Sequence, residues 1–335
     1  MLAYAGITAT HYALFILGLI VLLALDLGVF HRKSHVVSFK EALGWTALWF
    51  MLAMLFAILM VPDSDVLPVG EEGEKQYPRT AFITGYILEL SLSMDNVFVI
   101  ALIFSYFRVE PKYQHRLLFW GILGAIIMRG LMIGIGSAAV REWHWILYVF
   151  GAFLLITGIK MLFTNDNDGV EPDKNPLVRF ARRFFPVHDE FDGGHFITIV
   201  NGKRLLTPLA IVLITIESTD IVFAVDSIPA IFSITQDPFI VFTSNMFAIL
   251  GLRSLYFVLA GAIEIFRYLK YGLALVLTFI GAKMLAENWW KTGLEKIGVH
   301  SEMQHYVPLV VVILILFISI LASLLSVGNN EKNEG

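Results

Sequence analysis

Apolar residues run through this chain in blocks of about twenty, separated by short polar stretches. A helix that crosses a bilayer needs roughly 20 mostly apolar residues, so each block predicts a spanning helix. Nine qualify: residues 12–30, 41–61, 80–105, 115–137, 144–163, 207–232, 239–262, 268–286 and 306–327. The first has no basic stretch before it and is followed by His31, Arg32 and Lys33, the pattern of a retained anchor rather than a cleaved signal. The expected fold class is an all-α polytopic membrane protein. One polar stretch, 164–206, is long. Its end predicts a short β-hairpin: Phe196 to Val200, an Asn201-Gly202 type I′ turn, then Lys203 to Leu206. The preceding His188 to His195 carries metal-capable side chains, although a solvated loop is the plainer expectation.

The blocks repeat. Span three holds Met94-Asp95-Asn96-Val97-Phe98, and span six holds Thr219-Asp220-Ile221-Val222-Phe223. Arg129 in span four matches Arg253 in span seven, and Lys160 in span five matches Lys283 in span eight. The offsets are 125, 124 and 123 positions (220−95, 253−129, 283−160). Each unit has three spans, an odd number, so the second copy must enter the membrane from the opposite face. That predicts an inverted repeat about an axis in the membrane plane. The chain then divides into a two-helix segment with an acidic external loop (1–79), a first repeat (80–163), a cytoplasmic loop (164–206), a second repeat (207–286) and a C-terminal helix and tail (287–335).

Composition agrees with a lipid environment. The chain is 57% hydrophobic and 16% charged, with mean hydropathy +0.74. Soluble domains average about 25% charged residues. A net charge of −4 gives no case for nucleic acid, and the absence of cysteine excludes disulfides and thiolate metal sites. Basic residues set the orientation. Arg32, Lys33 and Lys40 follow span one, Arg108, Lys112 and Arg116 follow span three, and Lys174, Arg179, Arg182, Arg183, Lys203 and Arg204 follow span five. The loop after span two is acidic, with Asp63, Asp65, Glu71, Glu72 and Glu74. The N-terminus is therefore expected outside and the C-terminus in the cytoplasm.

Six acids lie within the spans: Asp26, Glu89, Asp95, Glu217, Asp220 and Asp226. An acid at the centre of a lone helix costs about 2.5–3.5 kcal/mol on insertion scales, so such residues usually face a cavity and mark a pathway. A two-fold axis would bring Asp95 and Asp220 together near the midplane, where they need a cation, shared protons or a basic partner. Arg129 and Arg253 are the deep basic partners; Lys160 and Lys283 lie near span ends and can snorkel outward. The acidic excess predicts a cation site made by Glu89, Asp95, Asn96, Glu217, Asp220 and Asp226. Asp226 lies nine residues beyond Glu217, half a turn away, so a straight helix cannot aim both at one ion. Pro229 is expected to kink or unwind span six near Asp226, freeing carbonyls that would join Ser218, Thr219 and Ser227 in an oxygen cage. Asp26 is nearer its span end and takes a supporting place at most. An all-oxygen site suits magnesium, calcium or manganese, and the residues alone do not separate the three.

Long motifs now point to a family. Gly85 to Val99, Glu217 to Phe232 and Asp237 to Arg253 resemble the TerC family of membrane proteins, and within it the Alx branch, over roughly residues 12–327. The resemblance implies a manganese exporter of the bacterial inner membrane, in a membership linked to tellurite resistance and to alkaline pH. It also implies that the family's intramembrane acids are Glu89, Asp95, Glu217, Asp220 and Asp226. Tellurite itself fits poorly, since an oxyanion wants converging cations and this core offers acids. No bound cofactor is expected; manganese would be the transported substrate, with protons as the exchanged ion and lipid as the surrounding partner. Other readings are carriage of calcium or magnesium, an intramembrane aspartyl protease, and a scaffold for other exported proteins that docks through 164–206.

Overall fold

The computed structural model describes residues 9–30, 38–61, 77–163, 176–260 except 189 and 201, 268–296 and 306–333, together with 299 and 304. The acidic loop after span two and Arg32, Lys33 and Lys174 lie outside the described residues. The elements are α1 (Ala9–Phe30), α2 (Phe39–Leu59), α3 (Pro78–Tyr106), α4 (Pro111–Glu142), α5 (Ile146–Phe163), α6 (Pro176–Phe184), β1 (Ile197–Val200), β2 (Lys203–Leu206), α7 (Pro208–Phe232), α8 (Pro238–Ala260), α9 (Leu269–Leu285), α10 (Glu287–Lys296) and α11 (Tyr306–Asn333). Each of the nine predicted blocks is a helix. Proline opens α3, α4, α7 and α8, where its missing N–H would have had no helical partner anyway. Asp237 caps α8, its carboxylate accepting from the N–H groups of Phe239 (2.8 Å) and Ile240 (3.3 Å).

The nine helices differ in apolar length among the described residues. Seven described helices are long and apolar enough to cross a membrane: α2, α3, α4, α5, α7, α8 and α11. Helix α1 has 22 residues, of which the side chains of 26–30 lie outside the described ones. Helix α9 has 17 residues, about 26 Å of rise, less than the ~30 Å of a typical hydrocarbon core.

Helix α8 lies at the centre, with 94% of its apolar stretch buried against 17% for α5 and α11. It packs on α3 and also touches α1, α2 and α4. Large apolar side chains such as Leu59, Ile135, Ile156 and Phe317 point outward. On a water-soluble surface they would form far too large an apolar patch; against lipid they cost nothing. Helix α3 packs on α8 and α4 on α7, while α3–α7, α4–α8 and α5–α9 also meet.

The α5–α9 contact is built on glycine. A Cβ on Gly158 would lie 2.6 Å from the Thr278 nitrogen and 2.8 Å from the Ala274 oxygen. A Cβ on Gly281 would meet the Leu155 nitrogen and lie 2.7 Å from the Gly151 oxygen. A shift of 123 positions turns Gly158, Leu155 and Gly151 into Gly281, Thr278 and Ala274. The two halves of the crossing are therefore reciprocal, residue for residue, at the offset that relates Lys160 to Lys283.

Two further expectations meet the structure here. Strands β1 and β2 form the predicted antiparallel hairpin, with Val200 opposite Lys203 and Gly202 at φ 78°; Asn201 lies outside the described residues. The hairpin is anchored at both sides. Thr207 hydrogen-bonds the Phe196 and His195 carbonyls at 3.0 and 2.6 Å, and Arg116 of α4 sits 5.1 Å over the Phe196 ring. It thus ties the start of α4 to the start of α7. Helix α7, however, does not unwind at Asp226: it stays α-helical through Pro229 to Phe232. Pro229 is so near the end that it removes only the partner of the Val225 carbonyl, and its own carbonyl still accepts from Ser233 at 3.2 Å.

Candidate functional site

Helix periodicity sorts the acids into separate places. On α3, Glu89 and Asn96 are seven apart and share a face, while Asp95 is turned about 100° from Asn96. The shared face meets Arg129 of α4 and Asp220 of α7. Arg129 Nη2 donates to Asp220 Oδ1 at 2.9 Å and Nε approaches Oδ2 at 3.4 Å, a two-pronged grip. The other side of the guanidinium makes an ion pair with Glu89. Asn96 Nδ2 donates to Asp220 Oδ1 at 2.8 Å, and Ser93 Oγ approaches Glu89 Oε1 at 3.3 Å. All of these groups are buried, Glu89 completely. An isolated ion at such a place costs several kcal/mol, so mutual pairing is what lets them stay. Two buried acceptors, Glu89 Oε2 and Asn96 Oδ1, have no hydrogen-bond partner.

Beside this cluster is a cavity of about 40 Å³, lined by Asp95, Asp226, Ser227, Arg129 and the apolar side chains of Leu92, Met161, Phe223, Leu273 and Leu277. Asp95 comes from α3 and Asp226 from α7, and both carboxylates border the same space. Ser227 is buried, and its Oγ has no hydrogen-bond partner. A water needs ~10–15 Å³ measured this way, so the space admits one small cation with part of its hydration shell. The apolar lining from α5 and α9 lowers the local dielectric and strengthens the pull of both carboxylates on a cation.

The remaining predicted residues are elsewhere. Glu217 lies against α4, its carboxylate filling the space that a side chain on Gly124 would take. It is on the far side of α7 from Asp226, as nine residues of unbroken helix require. Ser218 and Thr219 spend their hydroxyls on the Thr215 and Ile216 carbonyls, both at 2.8 Å. Pro229 is buried within α7, and Arg253 is buried in α8. Lys283 does not snorkel outward; its Nζ donates to the Ser233 carbonyl at 3.2 Å, placing a positive charge at the C-terminal end of α7. The Asp26 side chain lies outside the described residues.

Asp220 pairs with Glu89 across Arg129, and Asp95 lines the cavity with Asp226, which the same Arg129 borders. Among the described residues no group of three or more His, Cys, Asp or Glu side chains is gathered to hold a metal. That applies equally to the loop before the hairpin, where His188 Nδ1 accepts from the Glu190 N–H at 3.0 Å and serves a turn. Gly124, Ser93 and the apolar lining from α5 and α9 are not evident in the sequence as site residues. Gly158 and Gly281 were visible there only as flanks of the lysine motif.

The chain was compared with known proteins. The model of the integral membrane protein TerC family matches residues 75–331. The uncharacterized membrane protein STKORF319 of Myxococcus xanthus is 55% identical over 82% of this chain and 82% of its own length. A protein of Escherichia coli K12 named Alx, described as a candidate membrane-bound redox modulator, is 46% identical over 81% of this chain and 84% of its own. A membrane protein of Rickettsia felis is 39% identical over 91% of this chain and 94% of its own. No solved structure matches.

Proposed function

The chain belongs to the TerC family of integral membrane proteins, and from that premise we propose that it carries a hard divalent cation, manganese, out of the cytoplasm. The observation that carries this reading is the cavity shared by Asp95 of one repeat and Asp226 of the other, beside the unpartnered Ser227 hydroxyl. Two carboxylates balance one divalent ion, and their oxygens are the donor type that manganese, magnesium and calcium take. With so few protein ligands, the ion keeps several of its waters. The family resemblance selects manganese among the three.

In this reading the ion enters from the cytoplasmic side, sheds part of its hydration shell between α3 and α7, and leaves outward when one repeat rocks against the other. The reciprocal glycine crossing of α5 and α9 supports the inverted repeat. Two carboxylates that face one space can take up protons when the metal leaves, so exchange of protons for metal is the coupling we favour. The redox role named for the Alx relatives has no thiol to act through here, because the chain has no cysteine; we take it as a consequence of metal handling. An aspartyl protease reading loses ground, since Asp220 is committed to Arg129 rather than to Asp95.

Cellular manganese tests the proposal. Cells loaded with manganese and expressing Asp95→Asn or Asp226→Asn should retain several-fold more metal than cells expressing the wild type. Unchanged efflux in both variants removes the site. Retention of magnesium or calcium instead would reassign the cargo.

A further inference from the structure

The cluster around Arg129 has a chemistry that carriage through the Asp95–Asp226 cavity does not use. Two carboxylates, those of Glu89 and Asp220, face one guanidinium, and the Asn96 amide lies beside Asp220. Arg129 is 2% exposed, Asn96 1% and Glu89 0%. Yet Glu89 Oε2 and Asn96 Oδ1 accept no hydrogen bond. Buried acceptors are seldom left empty in native proteins. Carboxylate and amide oxygens converging from two helices are also the ligand set of a hard metal ion. A guanidinium is always charged and cannot dissociate as a metal does.

We infer that the Glu89, Asn96 and Asp220 oxygens form a second cation cage, and that the Arg129 guanidinium is its permanent occupant. Arg129 is then a specificity-determining residue: by filling one of two acidic places it limits the protein to a single divalent ion. That last step rests on the carrier reading above; the cage itself does not. The guanidinium also borders the Asp95–Asp226 cavity, so it repels any second cation approaching from that side.

Counting bound manganese decides the matter. The purified full chain is titrated calorimetrically with manganese chloride as wild type, Arg129→Ala and Arg129→Lys. Arg129→Ala should bind one more ion per chain than wild type, and millimolar methylguanidinium should expel that extra ion alone. Arg129→Lys, which restores a fixed positive charge, should bind the wild-type number. Equal counts in wild type and folded Arg129→Ala overturn the inference. Should Arg129→Ala fail to fold, Asp220→Asn serves: an unchanged count supports a cage separate from the carried ion, and loss of the wild-type ion overturns it. If wild type binds no manganese, the carrier reading fails, while a gain of one ion on removing Arg129 still upholds the cage.

Discussion

Gly124 decides where Glu217 can lie. A methyl group there would occupy the space of the Glu217 carboxylate, so Gly124→Ala should force α4 and α7 apart or turn the carboxylate aside. Overpacking of this kind costs about 1–3 kcal/mol. Thermal unfolding in detergent should show it, and adding Glu217→Ala should recover most of the loss, because the two positions share one space. Asp237 offers a test of pH. Its burial raises the carboxyl above the ordinary range, and the N–H groups of Phe239 and Ile240 only partly oppose this. The folded protein therefore holds that proton to a higher pH than the unfolded chain. Stability from this group falls as pH rises from the ordinary carboxylate value, about 3.9, through the raised one. Asp237→Asn keeps an acceptor for the cap and should flatten that part of the stability–pH curve measured by thermal melts.

At the scale of elements, the α5–α9 crossing is where two helices come closest. The atoms facing Gly158 and Gly281 include backbone, which cannot swing away as a side-chain tip can. Gly281→Val and Gly158→Val should each cost several kcal/mol, about what overpacking at a rigid contact costs, and by similar amounts if the repeat is real. Gly134→Val meets nothing within 4 Å and provides the neutral control. Melting temperatures of the three variants make the comparison; a large effect at only one of the paired glycines would argue against the two-fold axis. Helix α7 shows the opposite case, in which a local signal was outweighed. Pro229 predicted a break, but the helix continues because the lost bond lies within its last two turns, where packing holds the backbone.

For the whole molecule, the number of crossings sets which terminus is inside. With nine crossings and the basic loops in the cytoplasm, a reporter active only there should work when fused to the C-terminus and fail when fused to the N-terminus; if α1 and α9 do not cross, both results reverse. The hairpin joins the starts of α4 and α7. Any movement of α4 against α7 must either carry that clasp as a unit or break it.

The apolar helices and the presence of buried acids were legible in the chain itself. Apolar length is a local property, and the Asp, Arg and Lys offsets survive translation into helices unchanged. The hairpin was legible for the same reason, since its Asn-Gly turn specifies its own geometry. Helices α6 and α10 were missed because they are short and mixed in polarity, which leaves no apolar block to notice. What tertiary structure alone decided is the partnering of the acids. Periodicity fixes the angle between side chains on one helix, but not the rotation of that helix against its neighbours. Only packing set that rotation, through a glycine, an asparagine and an arginine, and it placed Asp220 with Glu89 on Arg129 and Asp95 with Asp226 around the cavity.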